Sequence, residues 1–114
     1  MAIDYSNQIG KKISTTGKQK TFIDVSDILY LECQNIYTTI FMNIKGNKIC
    51  FMEAKSLKKY ENELKEYGFF RVNNNTLVNG NYITKINSKN LFLGEEINIK
   101  ISRRRYSLLK KQLL

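Results

Sequence analysis

Two clusters of side chains stand out for the chemistry they could do. Three asparagines in succession, Asn73, Asn74 and Asn75, follow Arg71 and Val72, and three arginines in succession, Arg103, Arg104 and Arg105, follow Ser102. An asparagine amide carries a donor and an acceptor in one plane, which matches N6 and N7 of adenine, while an arginine fork matches O6 and N7 of guanine or a pair of phosphate oxygens. Each such pairing discriminates between bases by about 1 to 3 kcal/mol. The asparagines have a second reading, as a turn that uses their left-handed conformations and side-chain-to-backbone hydrogen bonds. The arginines have one too, as a solvated C-terminal tail. Against that tail, arginine in the first turn of a helix opposes the macrodipole at about 0.3 to 1 kcal/mol per residue, so three there point to an anionic partner. The Ser102 hydroxyl and the free N–H groups of such a helix start also suit a phosphate.

Catalytic chemistry finds little support. The chain has no histidine, so the usual general base is missing, and no GxSxG, phosphate loop or paired acidic motif occurs. The sequence predicts a non-enzyme without a cofactor. Cys33 and Cys50 form no CxxC pair, and without histidine a mixed nitrogen–sulfur zinc site has no ligand set. Both read as reduced, half-buried strand cysteines.

The positive charge is unevenly spread. Residues 1–66 hold ten lysines against eight acids, a net +2, whereas residues 67–114 hold nine lysines and arginines against two acids, a net +7, for +9 in all. Lysine, asparagine and isoleucine are abundant throughout, as in the product of an AT-rich genome. That bias accounts for the lysines better than for four arginines confined to the second part.

The elements that must position these groups are mostly strands. With 42% hydrophobic and 25% charged residues over 114 positions, one globular domain is expected. No apolar run reaches the roughly 20 residues of a membrane span, and residues 1–12 lack a signal-peptide core, so a cytoplasmic chain without a membrane partner is expected. Alternation marks strands at Lys20–Val25, Ile28–Glu32, Tyr37–Ile44 and Lys48–Glu53, the last two joined as a hairpin by Lys45-Gly46-Asn47. Between Ala54 and Gly68 the period changes. Leu57, Tyr60, Leu64 and Tyr67 share one helical face, Glu61 and Lys65 are spaced as an ion pair, and Gly68 is placed as a left-handed cap. Short strands return at FFRV, TLV, YITKI, LFL and INIKI, with reversals at Gly80, flanked by Asn79 and Asn81, and at Gly94-Glu95-Glu96. A short helix, capped by Ser102 and lined inside by Tyr106, Leu109 and Leu113, closes the chain.

The succession of ILYLE with a polar stretch and a tyrosine, then SLKKYENEL, then GFFRVNNNTLVNGNYI, then ISRRRY and a short helix resembles the LytTR DNA-binding domain of bacterial response regulators. The resemblance spans residues 10–114 and leaves residues 1–9 as an N-terminal extension or linker. It implies a mainly β fold with short helices, its antiparallel strands in small stacked sheets. It also implies double-stranded DNA as partner, read at promoter direct repeats by loops in successive major grooves. The domain is then expected to be monomeric in isolation and paired on DNA. A receiver domain upstream, usual in the family, is not contained in these residues. Carried over by position, Asn74, Arg103 and either Thr38 or Asn35 are expected to contact bases; beside them, Arg71, Asn75, Ser102 and Arg104 are expected on chemical grounds to contact the DNA backbone. The sequence departs from the family where a histidine is common and Asn73 stands instead, and where a serine is common and Asn75 stands. Two other classes remain open. An RNA or single-strand binder would use Tyr30, Tyr37, Phe69 and Phe70 as stacking platforms, and a protein-interaction module would carry its basic surface incidentally.

Overall fold

The computed structural model describes residues 6–113, the side chains of Ser6 and Leu113 excepted. The expected inner contact of Leu113 therefore lies outside the described residues. Strands β1 (Lys12–Ser14) and β2 (Phe22–Asp24) form a two-stranded ribbon. Strands β3 (Ile28–Gln34), β4 (Tyr37–Ile44), β5 (Asn47–Glu53), β6 (Phe69–Asn73) and β7 (Thr76–Asn79) make an antiparallel sheet in the order β5-β4-β3-β7-β6. A third sheet pairs β8 (Ile83–Ile86), β9 (Asn90–Leu93) and β10 (Ile97–Lys100), with β9 in the middle. Two helices, α1 (Leu57–Leu64) and α2 (Arg103–Leu113), complete the fold, which is the mainly β architecture expected.

The central sheet is covered on both faces over β3, β6 and β7, because successive strand residues point to opposite sides, while β5 is exposed from Asn47 to Met52. Leu31, Ile40, Met42 and Leu77 pack with Ile13 and Ile23 of the ribbon and with Leu57, Tyr60 and Leu64 of α1. Leu29, Val72 and Val78 pack instead with Leu91, Leu93 and Ile99 of the third sheet and with Leu109 of α2. The neighbours Leu77 and Val78 thus serve different cores. Burying side chains of this size contributes about 1.5 to 3 kcal/mol each, so both layers are needed to hold the sheet.

Helix α1 starts where Ser56 accepts a hydrogen bond from the Lys59 N–H at 3.2 Å, and it runs into a 3-10 turn ended by Gly68 at φ 84°. The expected Glu61–Lys65 pair does not form. Glu61 turns instead toward Arg71, at 3.0 Å, and Lys58, at 3.9 Å. Tyr60 is fully buried under the Lys55 ammonium, which lies 4.4 Å from its ring centre. Its hydroxyl has no hydrogen-bond partner among the described residues, and burial, with Glu53 and Glu63 nearby, pushes the phenol well above its ordinary pKa. Tyr60→Phe removes that unpaired group, so urea unfolding is expected to show stability unchanged or raised by about 1 kcal/mol. A clear loss would reveal a partner for the hydroxyl in solution.

Two turns follow the sequence reading and one does not. Lys45 and Gly46 both take positive φ, 51° and 86°, as a two-residue hairpin between twisted strands requires. Gly94 likewise turns at φ 65°. Gly80 does not use left-handed backbone; it opens a short 3-10 turn, Gly80–Tyr82, capped by Asn79, whose side chain accepts from the Asn81 N–H at 3.0 Å. Asn79 is more than a turn residue, since it is fully buried and its amide donates to the Ile28 carbonyl at 2.9 Å. It also exchanges hydrogen bonds with Gln8, at 2.9 and 3.2 Å. Gln8, only 1% exposed, donates further to the Tyr67 carbonyl at 2.6 Å. The supposed extension therefore reaches into the packed domain by residue 8. Cys33 and Cys50 are both free strand residues, but Cys50 is exposed rather than half-buried, because β5 is an edge strand.

Candidate nucleic-acid interface

Three chain connections meet at one end of the central sheet. They are the β3–β4 hairpin at Asn35-Ile36, the β6–β7 turn at Asn74-Asn75, and the junction Ile101-Ser102 between β10 and α2. A groove of about 680 Å³ runs between them, lined by Glu32 to Gln34, Asn73 to Thr76 and Lys100 to Ser102. Backbone bonds stitch its walls together. The Cys33 N–H donates to the Asn75 carbonyl at 2.8 Å, and the Ser102 N–H donates to the Val72 carbonyl at 2.9 Å. A bulge in β6 between Arg71 and Asn73 breaks the β6–β7 register at Val72, where that carbonyl meets the third layer. Asn73 adds a side-chain tie, its amide donating to the Lys100 carbonyl at 2.7 Å while its oxygen accepts from the Asn75 N–H at 2.8 Å. The groove is therefore held by all three walls at once.

A family model described as the LytTr DNA-binding domain matches residues 18–114. This chain belongs to the LytTR family of DNA-binding domains. A search of curated proteins finds no match. Among solved structures, the fold is similar to a LytTr DNA-binding domain of a response regulator from Bacillus cereus, with a TM-score of 0.74 and 22% identity over 91% of this chain and 98% of that one.

Within this LytTR domain the sequence-predicted residues fall into three groups. Asn74, Asn35, Arg103 and Arg104 are exposed, and their side chains have no hydrogen-bond or ion-pair partner among the described residues. Asn35 occupies the hairpin tip in the left-handed region, φ 59°, a conformation asparagine tolerates better than most residues. Asn75 and Ser102 line the groove with partial engagement. The Asn75 side-chain oxygen lies 3.7 Å from the Cys33 sulfur, and the Ser102 hydroxyl oxygen accepts from the Arg105 N–H at 3.3 Å as the helix cap, which leaves its own O–H able to donate. No acid stands in the first turn of α2, so the three arginines meet the positive end of the helix unopposed.

Thr38 and Arg71 are placed otherwise than the expected contacts would need. Thr38 is fully buried and donates its hydroxyl to the Lys55 carbonyl at 2.6 Å, because its place in the β4 alternation points it at the core shared with Ile40 and Met42. The hairpin presents Ile36 and Tyr37 outward instead, 71% and 46% exposed. Arg71 faces inward as well. Its side chain is 16% exposed and is spent on Glu61 and on the carbonyls of Asn73 and Asn74, so it does not reach out as a phosphate contact does. Sequence reasoning missed Ile36 and Glu32, both exposed beside the groove or its hairpin; exposure at a hairpin tip was the available signal for Ile36.

Proposed function

We propose that this LytTR domain binds double-stranded DNA sequence-specifically, as the output part of a bacterial transcriptional regulator in the cytoplasm, and reads promoter direct repeats through loops laid in the major groove. The reading rests on one observation: Asn74 lines the groove, Asn35 and the Arg103-Arg104 pair follow its lining residues Gln34 and Ser102 in the chain, and all four side chains are exposed with their hydrogen-bonding groups unengaged among the described residues. Amides at the hairpin and the turn suit adenine edges, and Arg103 suits guanine. Arg104, the Asn75 amide and the Ser102 hydroxyl sit where they can hold phosphates and fix the register. Glu32, the acid on this groove's rim, repels phosphate but can accept from cytosine N4. A domain of this size acts as one reader, and a repeated site takes two copies, with a receiver domain elsewhere in the regulator as the natural source of control.

A single-strand binder is less well served. Of its four aromatic platforms, Phe69 is buried, Phe70 and Tyr30 are half-buried, with Tyr30 stacked on Phe41 at 4.4 Å between ring centres, and Tyr37 alone of the four is exposed. Selection of binding sites from a random duplex pool tests the proposal. Enrichment of a repeated motif is expected, with affinity that falls with salt at a log–log slope of about −0.9 per neutralised phosphate. A pool that stays random at moderate salt, or preference for single strands in competition, would refute it.

A further inference from the structure

We infer that Arg71, together with Glu61, is a positioning residue that fixes the β6–β7 turn in the shape that presents Asn74; this rests on the reading of Asn74 as a base contact. The guanidinium makes three contacts in different directions. Its Nε donates to the Asn73 carbonyl at 3.1 Å, one terminal nitrogen donates to the Asn74 carbonyl at 2.5 Å, and the other meets Glu61 at 3.0 Å. Two successive carbonyls of the turn are thus bound by one rigid, planar fork, and the fork is anchored to α1 rather than to the turn itself. Glu61 is itself only 20% exposed on its side chain, so the pair is shielded from competing water far more than a surface ion pair. A β6 bulge lies under the same residues, and a bulge leaves backbone groups out of the ladder that need other partners.

The arrangement separates two jobs that sequence position alone merges. An arginine that holds phosphate adds affinity to every duplex and adds to the salt slope, whereas one that shapes a reading turn adds affinity only where the turn meets its base. Preorganisation of this kind removes the cost of ordering the turn at the moment of binding. Lysine keeps the charge but lacks the planar fork, so it cannot satisfy both carbonyls and Glu61 in this geometry.

The test has two arms. In the free protein, amide hydrogen exchange of Asn75 and Cys33, whose N–H groups bond within the turn and across it, is compared between wild type and Arg71→Lys. Faster exchange at both, with Leu31 and Leu77 in the sheet unchanged, is expected; unchanged exchange at Asn75 and Cys33 overturns the clamp whatever the DNA results. On DNA, Arg71→Ala and Arg71→Lys should each lose on the order of 10- to 100-fold on the selected site and less than about threefold on random duplex, with the salt slope kept. A merely structural role would lower the melting temperature but leave the ratio of selected to random affinity in place. Equal losses on both duplexes with a slope smaller by about 0.9, or rescue by lysine, would make Arg71 a phosphate contact and sink the inference. If wild type itself shows no preference between duplexes, the reading of Asn74 fails, and the exchange arm still decides the clamp.

Discussion

Asn79→Ala is expected to lower the stability of the domain by about 2 to 4 kcal/mol, a drop in Tm of roughly 10 °C or more for a chain of this size. Few surface changes approach that. The buried amide joins four groups at once: both ends of the Gln8 side chain, the Ile28 carbonyl and the Asn81 N–H. Alanine takes one partner from each of them; Gln8 keeps the Tyr67 carbonyl and the Asn81 amide, but the centre of the network is buried, and an unsatisfied buried group costs about 1 to 3 kcal/mol. Gln8→Ala should cost less, because Asn79 keeps Ile28 and Asn81. Urea unfolding of both variants checks the order, and an Asn79→Ala variant as stable as wild type would show that water replaces the network.

Arg103→Ala should weaken binding to the selected site by about 1 to 3 kcal/mol and relax preference at one base pair, and Asn74→Ala should do the same at a different one. Folding should be unaffected, since both side chains are exposed and make no hydrogen bond or ion pair among the described residues. Arg104→Ala is the contrasting case. As a phosphate contact it should lose similar affinity on every duplex and reduce the salt slope by about 0.9. Titration of each variant against selected and random duplexes at two salt concentrations separates the outcomes; equal losses for Arg103→Ala on both duplexes would reassign Arg103 to the backbone.

Much of the fold could be read from the chain because its signals are local. Alternation located the hairpin of Tyr37–Ile44 with the next strand, the change of period located α1, and Gly68 and Gly94 took the positive φ their places in the pattern required. What stayed hidden depends on partners far away in sequence. Alternation puts Thr38 on the face of Ile40, yet it cannot show which exposed residues border the groove at that end of the sheet. Arg71 looked like a free cation because Glu61 precedes it by a helix end and a turn, and Glu61 itself had a plausible local partner in Lys65 that the fold did not use. Gln8 carried no signal at all, since a lone glutamine before the first strand becomes structural only when Asn79 is brought beside it. The asparagine triplet divides between a turn builder and an exposed side chain. Asn73 builds the turn, as its ties to Lys100 and Asn75 show, and the Asn74 amide is left open.

That division within the triplet bears on how such a domain changes its target over generations. Asn74 and Arg103 stand outside both cores, so on the proposed reading substitutions there retune recognition with little toll on folding, whereas the left-handed backbone at Asn35 restricts what can replace it. Asn73 and Arg71, one residue away on either side of Val72, are bound into the walls of the groove and resist replacement for reasons unrelated to any base. Descendants of this sequence should therefore diverge in what they recognise by alternating free and fixed positions along a few residues, with the scaffold inherited intact beneath them.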